Sequence, residues 1–129
     1  MAKSELVKKL HIQSGQRIAI LHAPAGYLDR LGELPADVKL SNTLDDTYDL
    51  IQAFYTAGDT LLSELDPLKA GLADKNGILW ISYRRHVPTM EGTLARLAAN
   101  LAAQRKDFEA VEEAYLGDWW TAIRLKQVD

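Results

Sequence analysis

Apolar positions along this chain change their period several times, and the changes mark out its elements. Residues 18–21, Ile-Ala-Ile-Leu, form a continuous apolar run bounded by Arg17 and His22. Such a run predicts a strand buried on both faces, the habit of parallel sheets. Ahead of it, Leu6, Val7 and Leu10 share one face of a short helix capped by Ser4 and ended by Ser14-Gly15. Behind it, Pro24 and Gly26 close the strand, and a short helix is predicted over 25–31 with Gly32 near its end. Residues 38–40 predict a short strand, 42–47 are polar and turn-like, and 48–54 predict another strand that Gln52 interrupts. Leu61, Leu65, Leu68 and Leu72 then recur at helical spacing behind Gly58-Asp59. Pro67 falls among them, so either Asp66-Pro67 starts a second short helix or the first one kinks.

The second half repeats the alternation and then departs from it. A turn at 74–77 leads into 78–83, which is apolar, β-branched and aromatic, the best strand of the chain. Thr89 caps a predicted helix carrying Met90, Leu94, Leu97, Ala98 and Leu101 on one face. Residues 108–115 and 119–125 flank Leu116-Gly117-Asp118, which suits a tight type II′ hairpin. In the last strand Thr121, Ile123 and Leu125 share a face with Trp119, and Trp120, Ala122, Arg124 and Lys126 share the other. This order predicts an α/β chain: a Rossmann-like three-layer sandwich, its sheet mainly parallel with a C-terminal antiparallel β-hairpin. A length of 129 residues predicts a single domain over 1–129.

Composition narrows the function classes. Hydrophobic residues make up 47% and charged residues 26%, as in a folded globular chain. There is no cysteine, which excludes disulfides, thiolate zinc sites and a cysteine nucleophile, and fits a reducing, cytoplasmic setting. A net charge of −3 argues against nucleic acid as a partner, because phosphate binding calls for a basic surplus. The first ten residues mix charge into their apolar positions, and no run is long enough to span a bilayer, so no membrane partner is expected. The chain carries no Gly-x-Ser-x-Gly elbow, no P-loop and no dinucleotide fingerprint.

In a parallel sheet, ligands bind outside the carboxyl ends of the strands, near the point where strand order reverses. Those ends fall at 22–26, 54–58 and 83–86. The candidate ligand-binding residues are therefore His22, Gly26, Tyr55, Arg84, Arg85 and His86. The Arg84-Arg85 guanidinium forks suit a phosphate or carboxylate; the competing reading is that they point opposite ways and pair with surface acids. His22 and His86 suit proton transfer if they face each other across neighbouring strand ends. With no further ligand at a recognised spacing, no metal is expected. His11 reads as a solvated helix residue. Asp45, Asp46 and Asp49 read as a solvated loop, and Glu112-Glu113 as an exposed strand edge. Trp80 and the Trp119-Trp120 pair read as packing residues.

The order of elements resembles a shortened class I methyltransferase core, the fold that binds S-adenosylmethionine. Lys75-Asn76-Gly77 before 78–81 resembles that fold's approach to its fifth strand, and the terminal hairpin its last two strands. The segments 15–19, 48–50, 79–83 and 120–124 resemble a family of short bacterial proteins of unknown function with a reduced methyltransferase-like core. That family continues with Pro-Lys after the tyrosine where this chain has Arg84-Arg85. A working methyltransferase implies a glycine-rich turn after the first strand and an acid at the end of the second. Here the turn is His22-Ala23-Pro24-Ala25-Gly26, and the nearest acids, Asp45 and Asp46, stand several residues past Leu40. A helix and a strand before residue 48 are also missing from the pattern. The expectation is a non-catalytic Rossmann-like module, without cofactor, binding a small anionic ligand or a protein partner. The alternatives are a divergent S-adenosylmethionine-dependent methyltransferase and a structural homo-oligomer that pairs through its terminal hairpin.

Overall fold

A computed structural model describes residues 5–32, 34–55, 58–72, 77–84, 108–115 and 120–127. In chain order the elements are α1 (Glu5–Lys9), β1 (Arg17–Leu21), α2 (Tyr27–Leu31), β2 (Lys39–Ser41), β3 (Leu50–Tyr55), α3 (Gly58–Ala70), β4 (Ile78–Arg84), β5 (Phe108–Tyr115) and β6 (Trp120–Gln127). The predicted helix behind Thr89, the hairpin turn at 116–118, the Ser4 cap and the 74–76 turn lie outside the described residues.

The six strands form one sheet in the order β2-β1-β3-β4-β6-β5. β1 runs parallel to β2 and β3, and β3 parallel to β4. β6 is antiparallel to both β4 and β5, as the hairpin pattern predicts. The fold is thus Rossmann-like, with its three longest-buried segments side by side and pointing the same way. Alternate residues of β1 enter two different cores. Ile18 and Ile20 pack with Val7, Leu10, Tyr27 and Leu31 beneath α1 and α2. Ala19 and Leu21 pack with Leu65, Leu68 and Leu72 beneath α3. A strand covered on both faces must be apolar throughout, which is why residues 18–21 show no alternation.

Local chemistry sets the element ends. α1 closes with His11 in the left-handed region at φ 63, while Ile12 N–H bonds the Val7 carbonyl at 3.0 Å and His11 N–H that of Lys8 at 3.2 Å. This is a Schellman-type stop with the apolar pair Val7 and Ile12 beneath it. α3 passes through Pro67 without a second start; the proline is exposed, while Leu65 and Leu68 on either side of it are buried. Burial of those leucines outweighs the one ladder bond that proline removes. At the far end of α3, a Cβ on Gly71 would stand 3.1 Å from Ile51 Cδ1 and 3.2 Å from Leu44 Cδ2. Glycine lets the helix terminus touch the sheet there.

Gln52 does not weaken β3. It is fully buried at mid-strand, where Tyr27 O–H donates to its Oε1 at 2.8 Å and its Nε2 donates to Ser82 Oγ at 3.4 Å. A buried amide is tolerated when both of its ends are satisfied. Between β2 and β3, residues 42–49 carry neither helix nor strand, only an isolated bridge from Tyr48 to Leu72. This is the missing helix and strand of the sequence pattern. The return crosses the α3 face, where Leu44 and Tyr48 join the core.

Tyr27→Phe should leave the Gln52 carbonyl without a donor in the core. We expect a loss of about 1–3 kcal/mol in urea unfolding. Leu28→Ala, on the exposed side of the same helix, should change stability by less than about 0.5 kcal/mol.

Candidate functional site

The chain leaves β1 for β2 on one side and later returns to place β3 on the other, so strand order reverses between β1 and β3. The crevice outside their carboxyl ends is where an open parallel sheet takes a ligand. Two of the candidate residues meet there. His22 follows the last residue of β1, and Tyr55 ends β3. Their rings stand edge to face, with centroids 5.6 Å apart. Between them lies Glu64, from the second turn of α3. His22 Nε2 is 3.0 Å from one Glu64 carboxylate oxygen and 3.3 Å from the other. Tyr55 O–H donates to Glu64 Oε1 at 2.5 Å. The imidazole side chain is 50% exposed and Glu64 31%, so the pair lies at the mouth while Tyr55 sits behind it at 2%. Burial, reinforced by the bond to Glu64, holds the Tyr55 phenol far above the usual tyrosine range.

His22 adopts φ 58, a left-handed conformation that is costly for a residue with a Cβ. Gly26 has φ +80 as the N-cap of α2, and a Cβ there would meet nothing within 4 Å. Its glycine answers the backbone angle, not a tight approach. Arg84 ends β4 opposite Trp120, one residue beyond the Tyr55–Tyr83 pair, and so belongs to the same edge. Arg85 and His86 lie outside the described residues. β3 stands between β1 and β4, so the strand ends that carry His22 and lead to His86 are not neighbours. Among the described residues no cluster of three or more His, Cys, Asp or Glu is placed to hold a metal.

Glu64 was not among the sequence candidates. The available signal was positional: a helix that directly follows a parallel strand starts at the carboxyl edge, and its first two turns face the crevice.

The acids of the 42–49 return lie in a solvated loop, as expected, and they also have partners away from the crevice. Arg17, the first residue of β1, pairs with Asp46, and its backbone N–H donates to Asp49 Oδ2 at 2.9 Å. The Arg17 guanidinium holds the Asp46 carboxyl below the usual range, chiefly by hydrogen bonding. Tyr48 O–H donates to Asp45 at 2.5 Å, which raises the phenol's pKa. Arg17, Asp45, Asp46 and Tyr48 line an open cleft of about 260 Å³ with Lys39 and Ser41, along β2 and beside the amino end of β1.

Glu112 lies on the edge strand β5, as expected, and His11 is partly exposed, yet the two are bonded to each other. His11 stacks on Trp80 with ring centroids 6.2 Å apart, and its Nε2 is 2.8 Å from Glu112 Oε1. Arg124 Nη1 reaches the same oxygen at 3.5 Å. The pair ties the end of α1 to the edge hairpin, so neither residue is simply solvated.

Comparison with solved structures places this architecture. A SAM-dependent methyltransferase from Aquifex aeolicus is similar at a TM-score of 0.63 and 16% identity, over 96% of this chain and 88% of that one. A methyltransferase from Pyrococcus furiosus matches at 0.58 and 11%, over 95% and 79%. A tRNA methyltransferase of B. subtilis matches at 0.56 and 11%, over 100% and 68%. No family model and no curated protein sequence matches the chain. At these identities the likeness defines the fold: a Rossmann-like, methyltransferase-type core.

The features that the fold implies for S-adenosylmethionine are only partly met among the described residues. The turn after β1 offers Ala23, Pro24 and Ala25 where open backbone is needed, and His22 and Glu64 are joined across the β1–β3 crevice. Asp46 and Asp49 are bonded to Arg17 at the amino end of β1, and Asp45, which shares a cleft with Ser41 at the end of β2, already accepts from Tyr48.

The raised Tyr55 pKa has a definite sign. The native state keeps a proton that the unfolded chain releases above about pH 10, so this residue's stabilising contribution is full below that pH and declines above it. In phenolate absorbance titrations, wild type and Tyr55→Phe should superimpose up to about pH 11. A missing phenolate in the variant near pH 10 would contradict the assignment.

Proposed function

We propose that this chain uses the methyltransferase fold as a non-catalytic binding module, and that a small anion occupies the crevice at the carboxyl ends of β1 and β3. The observation that carries this reading is the His22–Glu64–Tyr55 constellation at the switch point. Its one carboxylate accepts from two of the protein's own donors and so holds His22 at the mouth of the crevice. Arg84 ends β4 and Arg85 follows it in the sequence, and a planar donor fork suits phosphate or carboxylate. The lack of cysteine agrees with a role in the reducing cytoplasm.

A second reading is favoured by the fold comparisons. The neighbouring structures are methyltransferases, which supports a divergent S-adenosylmethionine-dependent enzyme at the level of fold. In that case the β1 turn would have to rearrange to admit the cofactor.

Thermal-shift measurements separate the two, since a ligand that prefers the native state raises its melting point. Phosphate at about 100 times its Kd should stabilise the protein by about 2.7 kcal/mol, visible as a shift of several degrees. Arg84→Ala or Arg85→Ala should reduce that shift. A response to S-adenosylmethionine and S-adenosylhomocysteine, with none to phosphate, would overturn the module reading in favour of the enzyme.

A further inference from the structure

We propose that His22 meets the anion as an imidazolium, through Nδ1, so that the crevice holds the anion more tightly when the ring is doubly protonated. This deepens the anion-binding reading and rests on it. The argument is one of donors and acceptors. An ionised carboxylate only accepts hydrogen bonds. Glu64 presents both of its oxygens to His22 Nε2, at 3.0 and 3.3 Å, so Nε2 carries the hydrogen. In the neutral ring, Nδ1 is then a bare lone pair. A lone pair repels a phosphate, sulfate or carboxylate oxygen. Only the doubly protonated ring offers an N–H at Nδ1, and it keeps its bond to Glu64 as it does so.

The surroundings favour that outcome. Glu64 cannot turn away to accept elsewhere without giving up Tyr55, whose buried phenol donates to it at 2.5 Å. Tyr55 also meets the imidazole edge to face, which restrains the ring plane. Among the described residues, Glu64 from α3 and Tyr55 from β3 are the titratable groups in contact with His22, one negative and one a neutral donor. The side chain is half-exposed, and among the described residues no hydrogen bond engages Nδ1. The left-handed backbone at φ 58 sets the side chain at the end of β1, beside the switch point. The proton comes from solvent and resides on Nδ1 while the anion is bound. No covalent bond changes.

Sulfate is the appropriate probe, because it stays a dianion where a histidine titrates. Its affinity is read from the NMR shifts of residues 22–26 at about pH 5.5 and about pH 8, across which a histidine typically changes charge. In wild type we expect binding about tenfold or more tighter at the lower pH. His22→Asn keeps a side chain that tolerates positive φ and removes the titration, so its affinity should be weak and flat with pH. Glu64→Gln is the sharper test. A glutamine amide can donate to Nε2, which frees the neutral ring to carry its hydrogen on Nδ1. The pH dependence should shrink through better binding at pH 8, an effect that mere loss of structure would not produce. Equal wild-type affinity at both pH values, or an unchanged pH dependence in His22→Asn, overturns the imidazolium and leaves the anion site standing. Sulfate that moves no crevice resonance at either pH overturns the anion site itself.

Discussion

The parallel pairing of β1, β3 and β4 is the constraint from which the rest of the molecule follows. These strands are covered on both faces, so each residue along them answers to one core or the other. Their register sets Leu21 beside Ala53 and Tyr55 beside Tyr83. His22 therefore leaves the sheet where Tyr55 and the first turns of α3 can reach it. One bond connects this framework to the turn above it. Tyr27 follows Gly26 directly, and its hydroxyl is held by Gln52 in the middle of β3. The start of α2, and with it the turn that begins at His22, is thus pinned to the centre of the sheet and not only to its rim.

That framework was legible because it is local. Continuous apolar runs at 18–21 and 78–83, helical spacing from Leu61 to Leu72 and alternation along 119–125 each report how a segment meets its surroundings, and β1, β4, α3 and β6 stand where these patterns put them. The strand ends then named His22 and Tyr55 without further information. What local pattern could not carry was the identity of partners. Glu64 lies 42 residues from His22, Asp46 lies 29 from Arg17, and Glu112 lies 101 from His11. No periodicity records such pairs. Gln52 misled for the same reason: a polar residue at mid-strand reads as a weak strand until its two distant partners are known.

The two charged constellations occupy opposite ends of the same strand, and they differ in kind. At the amino end of β1, Arg17 faces Asp46 and Asp49 with Lys39 alongside, an exposed set in which opposite charges largely answer one another. Exposed pairs of this sort contribute little to stability. At the carboxyl end a single carboxylate is shared by a buried phenol and a half-exposed imidazole. The first arrangement is self-satisfied. The second keeps one ring nitrogen outside its internal bonds, which makes it the end with capacity for chemistry.

The shortened return between β2 and β3 bears on the acid that a methyltransferase-type fold implies after β2. After Ser41 the chain has eight residues to cross β1 and begin β3 beside it, so it must double back at once. Asp46 and Asp49 are carried toward the amino edge with it. Asp45 reaches Tyr48, Asp46 reaches Arg17, and Asp49 caps the backbone of β1. With a helix and a strand inserted here, the segment after β2 would be free to stay at the carboxyl edge, where a ribose would need it. The short return and the placement of these carboxylates thus go together. At the crevice the Glu64 carboxylate faces inward, toward the protein's own donors.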